Sequence, residues 1–169
     1  MVDVAVNNMG VSGPEQKVDF SQYVPFNDPK YFHSFCNIMN YGNQTEVENC
    51  WLAGLPDLRT EDADVRNVWY PWVKDLVANY SIDGLRVDAL KHVKKDFWAD
   101  FEKSSGVYNF GECYDGDASY TCAYQQVMSG VANYPLLNQI VATFNNTSTD
   151  FSPLIDEMKA ISSSCKVSP

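Results

Sequence analysis

Long apolar runs and positive charge are both scarce in this sequence. No stretch of about 18 apolar residues occurs, which argues against a transmembrane helix. Only 12 lysine and arginine residues stand against 22 aspartate and glutamate residues. The resulting net charge of −10 argues against nucleic acid and anionic membrane surfaces as partners. Met1 leads directly into a predicted strand, so we expect no signal peptide.

Motifs for zinc binding and for redox chemistry are also missing. The two histidines are His33 and His92, and His92 has no second histidine or cysteine at the spacing of a zinc site. No Cys-x-x-Cys pair occurs, which leaves little support for a zinc or redox protein built on the five cysteines. We therefore interpret His33 as a surface or packing residue.

The sequence does contain enough apolar material for one globular domain. Apolar residues make up 45% of the chain and aromatic residues 14%, which excludes a disordered protein. Five cysteines indicate an oxidising route, as do N-glycosylation sequons at Asn43, Asn79 and Asn145 and an overlapping one at Asn146. Five cysteines with one left over allow fifteen pairings, and the spacing does not choose among them.

Two predicted strands each end in an acid. The apolar segment 82–87 leads into Asp88, and the segment 107–111 leads into Glu112. Because side chains alternate along a strand, Arg86 and Asp88 share a face. A helical stretch lies between the two strands, which predicts a parallel α/β sheet with its chemistry at the C-terminal edge.

Two acids that face one cleft can cleave a glycosidic bond. The ionised acid attacks or stabilises the sugar cation, and the protonated acid donates its proton to the leaving oxygen. Arg86 is expected to lower the pKa of Asp88, and Glu112 has no adjacent cation, so we expect Glu112 to be the proton donor. The alternative is an ordinary ion pair at a strand end and a solvated glutamate.

Helical periodicity is strongest over residues 60–80, with Thr60 as the predicted cap. Pro71 interrupts this pattern, and the sequence shows no local compensation for it. Residues 10–59 lack a clean period, which a compact domain tolerates when the loop is functional or forms a subdomain. The other predicted elements are helices at 93–103, 136–144 and 150–163 and short strands at 2–6 and 131–134.

Four segments follow one another in a specific order. They are Asp3-Val4-Ala5-Val6-Asn7-Asn8, Leu55-Pro56-Asp57-Leu58, the run from Gly84 to His92, and Gly111-Glu112. In order and spacing they resemble the third barrel strand, the calcium loop, the nucleophile strand and the acid/base strand of the α-amylase family of glycoside hydrolases. Further detail is typical of fungal α-amylases of the Taka-amylase type, namely Tyr31-Phe32, Tyr41, Cys50-Trp51-Leu52 and Asn133-Tyr134-Pro135.

This resemblance implies a fold and an activity. The fold is a partial TIM (β/α)₈ barrel, strands three to six, over residues 1–169, with residues 10–59 as an inserted calcium-binding subdomain. The activity is retaining endo-hydrolysis of α-1,4 bonds in starch and related glucans by a secreted enzyme, with Asp88 as nucleophile and Glu112 as acid/base. The implied substrate-binding residues are Arg86, Lys91, Tyr41, Asn8, Asp115 and Gly116.

The resemblance also implies a metal site and a set of disulfides. Calcium prefers six to eight oxygen ligands, some of which are backbone carbonyls. The implied calcium ligands are Asn7, Glu48, Asp57 and His92. The implied disulfides are Cys36–Cys50 and Cys122–Cys165, which leave Cys113 free beside the proposed acid.

The sequence departs from the family pattern in several places. We expect barrel strands one, two, seven and eight to be absent, together with the third catalytic acid that follows strand seven. Asn8 stands where the family usually has a histidine that contacts the sugar, and the loop between Trp51 and Leu55 is short. These departures favour an alternative, a catalytically inactive truncated remnant or a glucan-binding protein.

Overall fold

Four parallel strands form the single sheet of this computed structural model, which describes residues 1–11, 17–145 and 150–166. The strands lie side by side in chain order, β1-β2-β3-β4. Their bounds are β1 Val2–Val4, β2 Gly84–Val87, β3 Tyr108–Gly111 and β4 Gly130–Val131. The predicted parallel α/β sheet is confirmed, although each strand is shorter than the apolar run that predicted it.

The register of the sheet brings the strand ends to one edge. Val87 lies opposite both Val4 and Gly111, and Gly111 lies opposite Val131. The residues that follow β2 and β3 therefore emerge side by side at the C-terminal edge of the sheet. A Cβ atom at Gly111 would lie 2.6 Å from Leu90 Cδ2, so a larger residue there would displace the Leu90 side chain.

Six α-helices accompany the strands in the described part of the chain. They are α1 Gln44–Asn49, α2 Ala63–Tyr80, α3 Lys95–Ser105, α4 Ala118–Cys122, α5 Tyr134–Phe144 and α6 Ser152–Ser164. Helix α3 buries Phe97, Trp98 and Phe101, as its periodicity predicts, and ends at Gly106, which adopts a left-handed φ of 67°.

The start of α2 differs from the prediction. The helix begins at Ala63, and Asp62 occupies the N-cap position without a side-chain capping hydrogen bond, so the assignment of Thr60 as the cap was wrong. Thr60 is instead buried, and its carbonyl accepts a hydrogen bond from Arg66 Nε at 2.7 Å. A side chain held in the interior is not free to cap the exposed amides of the first turn.

Pro71 lies inside α2 without ending it. An interior proline removes one backbone hydrogen bond, which leaves the carbonyl four residues earlier without its usual donor. That carbonyl belongs to Asn67, and both Asn67 and Pro71 lie on the exposed side of the helix. Water can therefore satisfy the free carbonyl, and this is the compensation that the sequence did not reveal.

The described residues between β1 and α2, 5–11 and 17–62, have little regular structure, as predicted. They contain α1, short 3₁₀ turns and three isolated bridges, which pair Asn8 with Asp57, Phe32 with Leu58 and Asn37 with Trp51. These bridges attach the irregular segment to itself and to the residues that follow β1. The division of the chain at residues 10–59 stays a prediction.

Both predicted disulfides are present. Cys36 is joined to Cys50 and Cys122 to Cys165, with Cα–Cα distances of 4.8 and 4.9 Å. Cys113 is free and fully buried, and burial raises the pKa of its thiol to about 11. A thiol of this kind stays protonated at neutral pH and reacts slowly.

None of the helices in the described ranges is both long and apolar enough to cross a membrane.

Candidate active site

Asp88 and Glu112 line the same cavity at the C-terminal edge of the sheet. This cavity has a volume of about 660 Å³. Its walls are formed by Tyr41, Leu52, Asp88, Ala89, Lys91, His92, Glu112, Tyr114, Asp115 and Gly116. The convergence of the two acids that the strand pattern predicts is therefore observed.

Arg86 connects the acids of the site. Its Nη1 atom lies 2.5 Å from Asp88 Oδ1, and its Nη2 atom lies 3.0 Å from Glu112 Oε2. Nη1 also donates to Asp3 Oδ1 at 2.9 Å, on the neighbouring strand. One guanidinium group thus contacts three carboxyl groups, those of Asp3, Asp88 and Glu112.

Glu112 receives two further hydrogen bonds. The hydroxyl of Tyr134, in the first turn of α5, donates to Oε1 at 2.8 Å. The backbone amide of Ala89 donates to Oε2 at 3.4 Å. Ala89 can reach Glu112 because its backbone adopts a left-handed conformation with φ of 51° immediately after Asp88. Left-handed backbone is unfavourable for a residue with a side chain, and it is often found at functional sites.

These contacts reverse the predicted protonation of the two acids. Burial and a hydrogen bond shared with Glu112 raise the pKa of Asp88, in spite of Arg86. Burial opposes ionisation of Glu112, but hydrogen bonds from Asp88 and Tyr134 and the charge of Arg86 lower its pKa. The prediction that Glu112 lacks a cation was wrong, because Arg86 reaches it across the sheet.

The carboxyl groups of Asp88 and Glu112 lie side by side, because Arg86 Nη1 contacts one at 2.5 Å and Arg86 Nη2 contacts the other at 3.0 Å. Each carboxyl group therefore affects the ionisation of the other.

Four of the six predicted substrate-binding residues line the cavity. Lys91 is buried, and its Nζ atom lies 3.2 Å from Asp115 Oδ2 and 5.3 Å from the ring centre of Tyr41. Gly116 follows Asp115 on the same wall. Lys91 is thereby fixed in place, while the ring of Tyr41 remains more than half exposed.

The other two predicted substrate residues have different positions. Arg86 contacts the acids instead of lining the cavity. Asn8 is half-buried, forms a backbone bridge with Asp57 and does not line the cavity. Its position in the third-strand motif predicted a place in the sugar site, and the structure does not bring it there.

Sequence reasoning missed Tyr134 and Tyr114 as residues of the site. Their rings make an edge-to-face contact at 4.8 Å, and Tyr114 lines the cavity. Tyr134 was noticed only as part of an Asn-Tyr-Pro motif. The contact with Glu112 depends on how α5 packs above the sheet, and no local pattern reports that packing.

The predicted calcium ligands form two adjacent pairs. The backbone of Leu58 donates to Asn7 O at 2.8 Å, which places Asn7 beside Asp57. Val47 O accepts from His92 Nδ1 at 3.0 Å, which places Glu48 beside His92. Among the described residues no group of three or more His, Cys, Asp or Glu side chains forms a metal site. The predicted set differs from such a group because it includes an asparagine and backbone oxygens.

Asn7 and Asp57 have the character of an incomplete cation site. Both side chains are almost completely buried, and neither Asn7 Oδ1 nor Asp57 Oδ1 has a hydrogen-bond partner. Burial raises the pKa of Asp57 to about 7. Buried oxygens without donors are unfavourable, and a hard cation satisfies them. These residues therefore fit calcium.

His33 is an ion-pair residue, so its interpretation as a surface or packing residue was wrong. Its Nδ1 atom lies 2.7 Å from Asp57 Oδ2, and its Nε2 atom lies 2.9 Å from Glu61 Oε1. Burial opposes the charged ring, but hydrogen bonds with the two carboxylates raise the pKa of His33 to about 9. The partners lie 24 and 28 residues away, beyond any local pattern.

Replacement of Arg86 by Met is expected to raise the pKa of both Asp88 and Glu112, because each loses its positive neighbour. Glu112 has a lowered pKa in the folded protein, so its contribution to stability is present above its ordinary value of 4.5 and is lost as the pH falls. The Arg86→Met variant should therefore be less stable at pH 7, and the difference should narrow in acid. NMR titration of the carboxyl groups and urea unfolding measure these effects.

Arg66→Met is the matched control. Arg66 pairs with Asp96 at 2.9 Å and packs over Phe97, away from the cavity. The pKa values of Asp88 and Glu112 should be unchanged in this variant. Unshifted carboxyl pKa values in Arg86→Met would contradict the bridging role of Arg86.

Comparison with known proteins agrees with this geometry. A family profile described as "Alpha amylase, catalytic domain" matches residues 41–167. The chain belongs to the α-amylase family. The resemblance seen in the sequence is therefore confirmed, and the four-stranded sheet is part of a (β/α)₈ barrel.

Several fungal α-amylases are similar along most of this chain. The α-amylase of Saccharomycopsis fibuligera is 48% identical, and the match covers 98% of this chain and 34% of the relative. Alpha-amylase 1 of Lipomyces kononenkoae is 47% identical, with coverage of 98% and 27%. The solved structure of an α-amylase from Malbranchea cinnamomea superposes with a TM-score of 0.93 at 43% identity, with coverage of 97% and 36%. The chain spans about a third of the length of these α-amylases or somewhat less.

Proposed function

We propose that this chain supplies the nucleophile and the acid/base of an α-amylase that hydrolyses internal α-1,4 bonds of starch with retention. One observation carries the proposal: Asp88 and Glu112 converge on one cavity and share one arginine. Membership of the α-amylase family supports the same reaction class.

The proposed reaction has two steps. Asp88 Oδ attacks the anomeric carbon while Glu112 donates a proton to the leaving glycosidic oxygen, which breaks the C–O bond and forms a glycosyl ester on Asp88. Glu112 then removes a proton from water, and the water oxygen displaces Asp88 from the anomeric carbon. The product keeps the α configuration, because the carbon is inverted twice.

The sugar itself is expected to set the protonation states that this reaction needs. In the free site, burial and the nearby Glu112 carboxyl group raise the pKa of Asp88. A sugar ring between the acids weakens the influence of Glu112 and leaves Asp88 with Arg86 at 2.5 Å, which favours ionised Asp88. Arg86 Nη2, which contacts Glu112 Oε2 at 3.0 Å, must also move away before Glu112 holds the proton.

The cavity walls offer the contacts that a glucan needs. The exposed ring of Tyr41 and the ring of Tyr114 provide apolar faces for sugar rings. Lys91 and Asp115 provide a donor and an acceptor for hydroxyl groups, beside Gly116. Asn8 lies outside the cavity, so its proposed role in substrate binding rests on the sequence motif alone.

Calcium belongs to the same proposal. Asn7 and Asp57 would hold the ion through side-chain oxygens, and Glu48 and His92 through backbone carbonyls. When bound, the ion supplies charge that satisfies buried oxygens and holds residues 10–59, the proposed subdomain, against the sheet. His92 also lines the active cavity, so the two sites share a wall.

Calcium is expected to raise the melting temperature of the chain. At a concentration of about 100 times Kd, binding adds about 2.7 kcal/mol to the free energy of unfolding, or roughly 5–10 °C for a chain of this size. Asp57→Ala should abolish the rise, and Asp62→Ala, on the same loop but paired with Arg59, should keep it. Differential scanning calorimetry with calcium or EDTA measures the rise. Equal melting curves in calcium and EDTA would contradict the site.

We also propose that the protein is secreted and glycosylated. Two disulfides support an oxidising compartment. Asn43 and Asn79 are exposed, as a glycosylation site requires. Asn145 is exposed at the end of α5, but residues 146 and 147 of its sequon lie outside the described residues.

A reducing-sugar assay on soluble starch tests the proposed reaction. We would assay the purified chain and a chimera in which it replaces the matching third of the Saccharomycopsis fibuligera α-amylase. Hydrolysis by the chimera, with products that first appear in the α configuration, supports the proposal. A folded chimera without hydrolysis, beside an active parent enzyme, would contradict it.

The second candidate is a glucan-binding protein without turnover. The position of Asn8, bridged to Asp57, favours it, because Asn8 is not among the residues that line the cavity. Retardation of the chain in a starch-containing native gel, together with an inactive chimera, would select this candidate.

A further inference from the structure

Two hydrogen bonds of the His33 backbone hold this residue beside Asp57. The amide of His33 donates to Asp57 O at 2.9 Å, and the carbonyl of His33 accepts from Trp51 Nε1 at 3.0 Å. Trp51 is buried, and its neighbour Cys50 is joined to Cys36. The ring of His33 is therefore placed by contacts that do not involve its nitrogens.

The two ring nitrogens of His33 engage two carboxyl groups. Nδ1 contacts Asp57 Oδ2 at 2.7 Å, and Nε2 contacts Glu61 Oε1 at 2.9 Å. Glu61 Oε1 is also 3.9 Å from Lys94 Nζ. Glu61 thus holds Nε2 of the His33 ring, and Nδ1 of the ring holds Oδ2 of Asp57.

The other oxygen of Asp57 is left for a ligand. Asp57 Oδ1 and both polar side-chain atoms of Asn7 are buried without partners. Asn7 is tied to the same place by the hydrogen bond from Leu58 N to Asn7 O at 2.8 Å. A carboxylate with one oxygen bound to histidine and one buried and free is oriented for a cation.

We propose that His33 is a positioning residue for calcium, which holds Asp57 Oδ2 so that Oδ1 is the oxygen presented to the ion. This inference rests on the calcium site of the proposed function. Outer contacts of this kind typically change metal affinity by about 10–100-fold when they are removed. His33 touches no substrate and acts only through Asp57.

Substitution by asparagine or glutamine can test the contacts of the two ring nitrogens of His33 one at a time. The nitrogen of asparagine occupies the place of Nδ1, and that of glutamine the place of Nε2. His33→Asn can therefore keep the bond to Asp57 and lose the one to Glu61. His33→Gln can keep the bond to Glu61 and lose the one to Asp57, and His33→Ala loses both.

Calorimetric titration of the 169-residue chain with calcium chloride tests the proposal. We expect His33→Gln and His33→Ala to raise the Kd for calcium by about 10–100-fold. His33→Asn should bind calcium with an affinity close to that of the unsubstituted chain. Arg59→Gln is the control, because Arg59 pairs with Asp62 at 2.7 Å on the same loop without touching Asp57. Its calcium affinity should not change.

If His33 served only in folding, the result would differ. Its replacement would lower the melting temperature in EDTA, and the His33→Asn and His33→Gln variants would bind calcium with equal affinity. Equal affinities for all three His33 variants, or an Asn variant as weak as the Gln variant, would overturn the inference while leaving the calcium site in place. An unsubstituted chain that binds no calcium would overturn the site and this inference together. If His33→Ala does not fold, the comparison of Asn with Gln decides.

Discussion

Asp88→Asn is expected to lower the rate of starch hydrolysis by about 10⁴-fold or more. The amide cannot form the glycosyl ester, and loss of a nucleophile typically removes this much of the rate. The variant keeps the size and shape of the side chain, so Arg86 can still donate to its oxygen. The measurement is the reducing-sugar assay on the chimera, with folding checked by circular dichroism.

Asp3→Asn is the matched control for this variant. Asp3 also contacts Arg86 Nη1, at 2.9 Å, but its side chain is exposed and does not line the cavity. Its loss should reduce the rate far less than Asp88→Asn. A similar loss in both variants would mean that the charge around Arg86, and not attack by Asp88, limits the rate.

Glu112→Gln is expected to lower starch hydrolysis by about 10²–10⁴-fold, the usual contribution of a general acid. The loss should shrink for a substrate whose leaving group departs without a proton, such as a maltosyl fluoride. For that substrate only the second step still needs Glu112, as a base toward water. The comparison of starch with the fluoride in the chimera measures the acid role directly.

Tyr134→Phe is the control that distinguishes loss of the acid role of Glu112 from a general disruption of the site. Tyr134 donates to Glu112 Oε1 at 2.8 Å, and its removal leaves the acid in place with a higher pKa. The variant should shift the pH profile and keep most of the rate. An equal loss of starch and fluoride hydrolysis in Glu112→Gln would contradict the assignment of Glu112 as the acid.

The sequence predicted the parts of the site that depend on strand geometry. Arg86 and Asp88 share a face because side chains alternate along β2. Glu112 joins them because β3 is parallel to β2 and in register with it. Alternation and parallel register are local rules, so a single sequence is enough to apply them.

The sequence could not predict the electrostatics of the acids. The second contact of Arg86, to Glu112, crosses from one strand to the next. Tyr134 approaches from α5, more than twenty residues after Glu112. Both contacts stabilise the ionised form of Glu112, and each depends on packing that no local pattern encodes.

The calcium region shows a similar division. The resemblance to the family motifs indicated Asn7 and Asp57 as calcium ligands. In the structure Oδ1 of each side chain is buried without a hydrogen-bond partner. His33 was misjudged because one histidine has no pattern of its own. Its two carboxylate partners come from the loop before α2, which only the folded chain brings close.

Covalent labelling tests the central claim most directly. The claim is that Asp88 is the nucleophile and Glu112 its partner in one cavity. The chimera would be incubated with an activated fluorosugar that forms the glycosyl ester and delays its hydrolysis, and then digested and sequenced by mass spectrometry. We predict one added sugar, on the peptide that carries Asp88, and a longer lifetime of this ester in Glu112→Gln, because its hydrolysis needs Glu112 as the base toward water. A sugar attached to Glu112, or an active chimera that is never labelled at Asp88, would contradict the account.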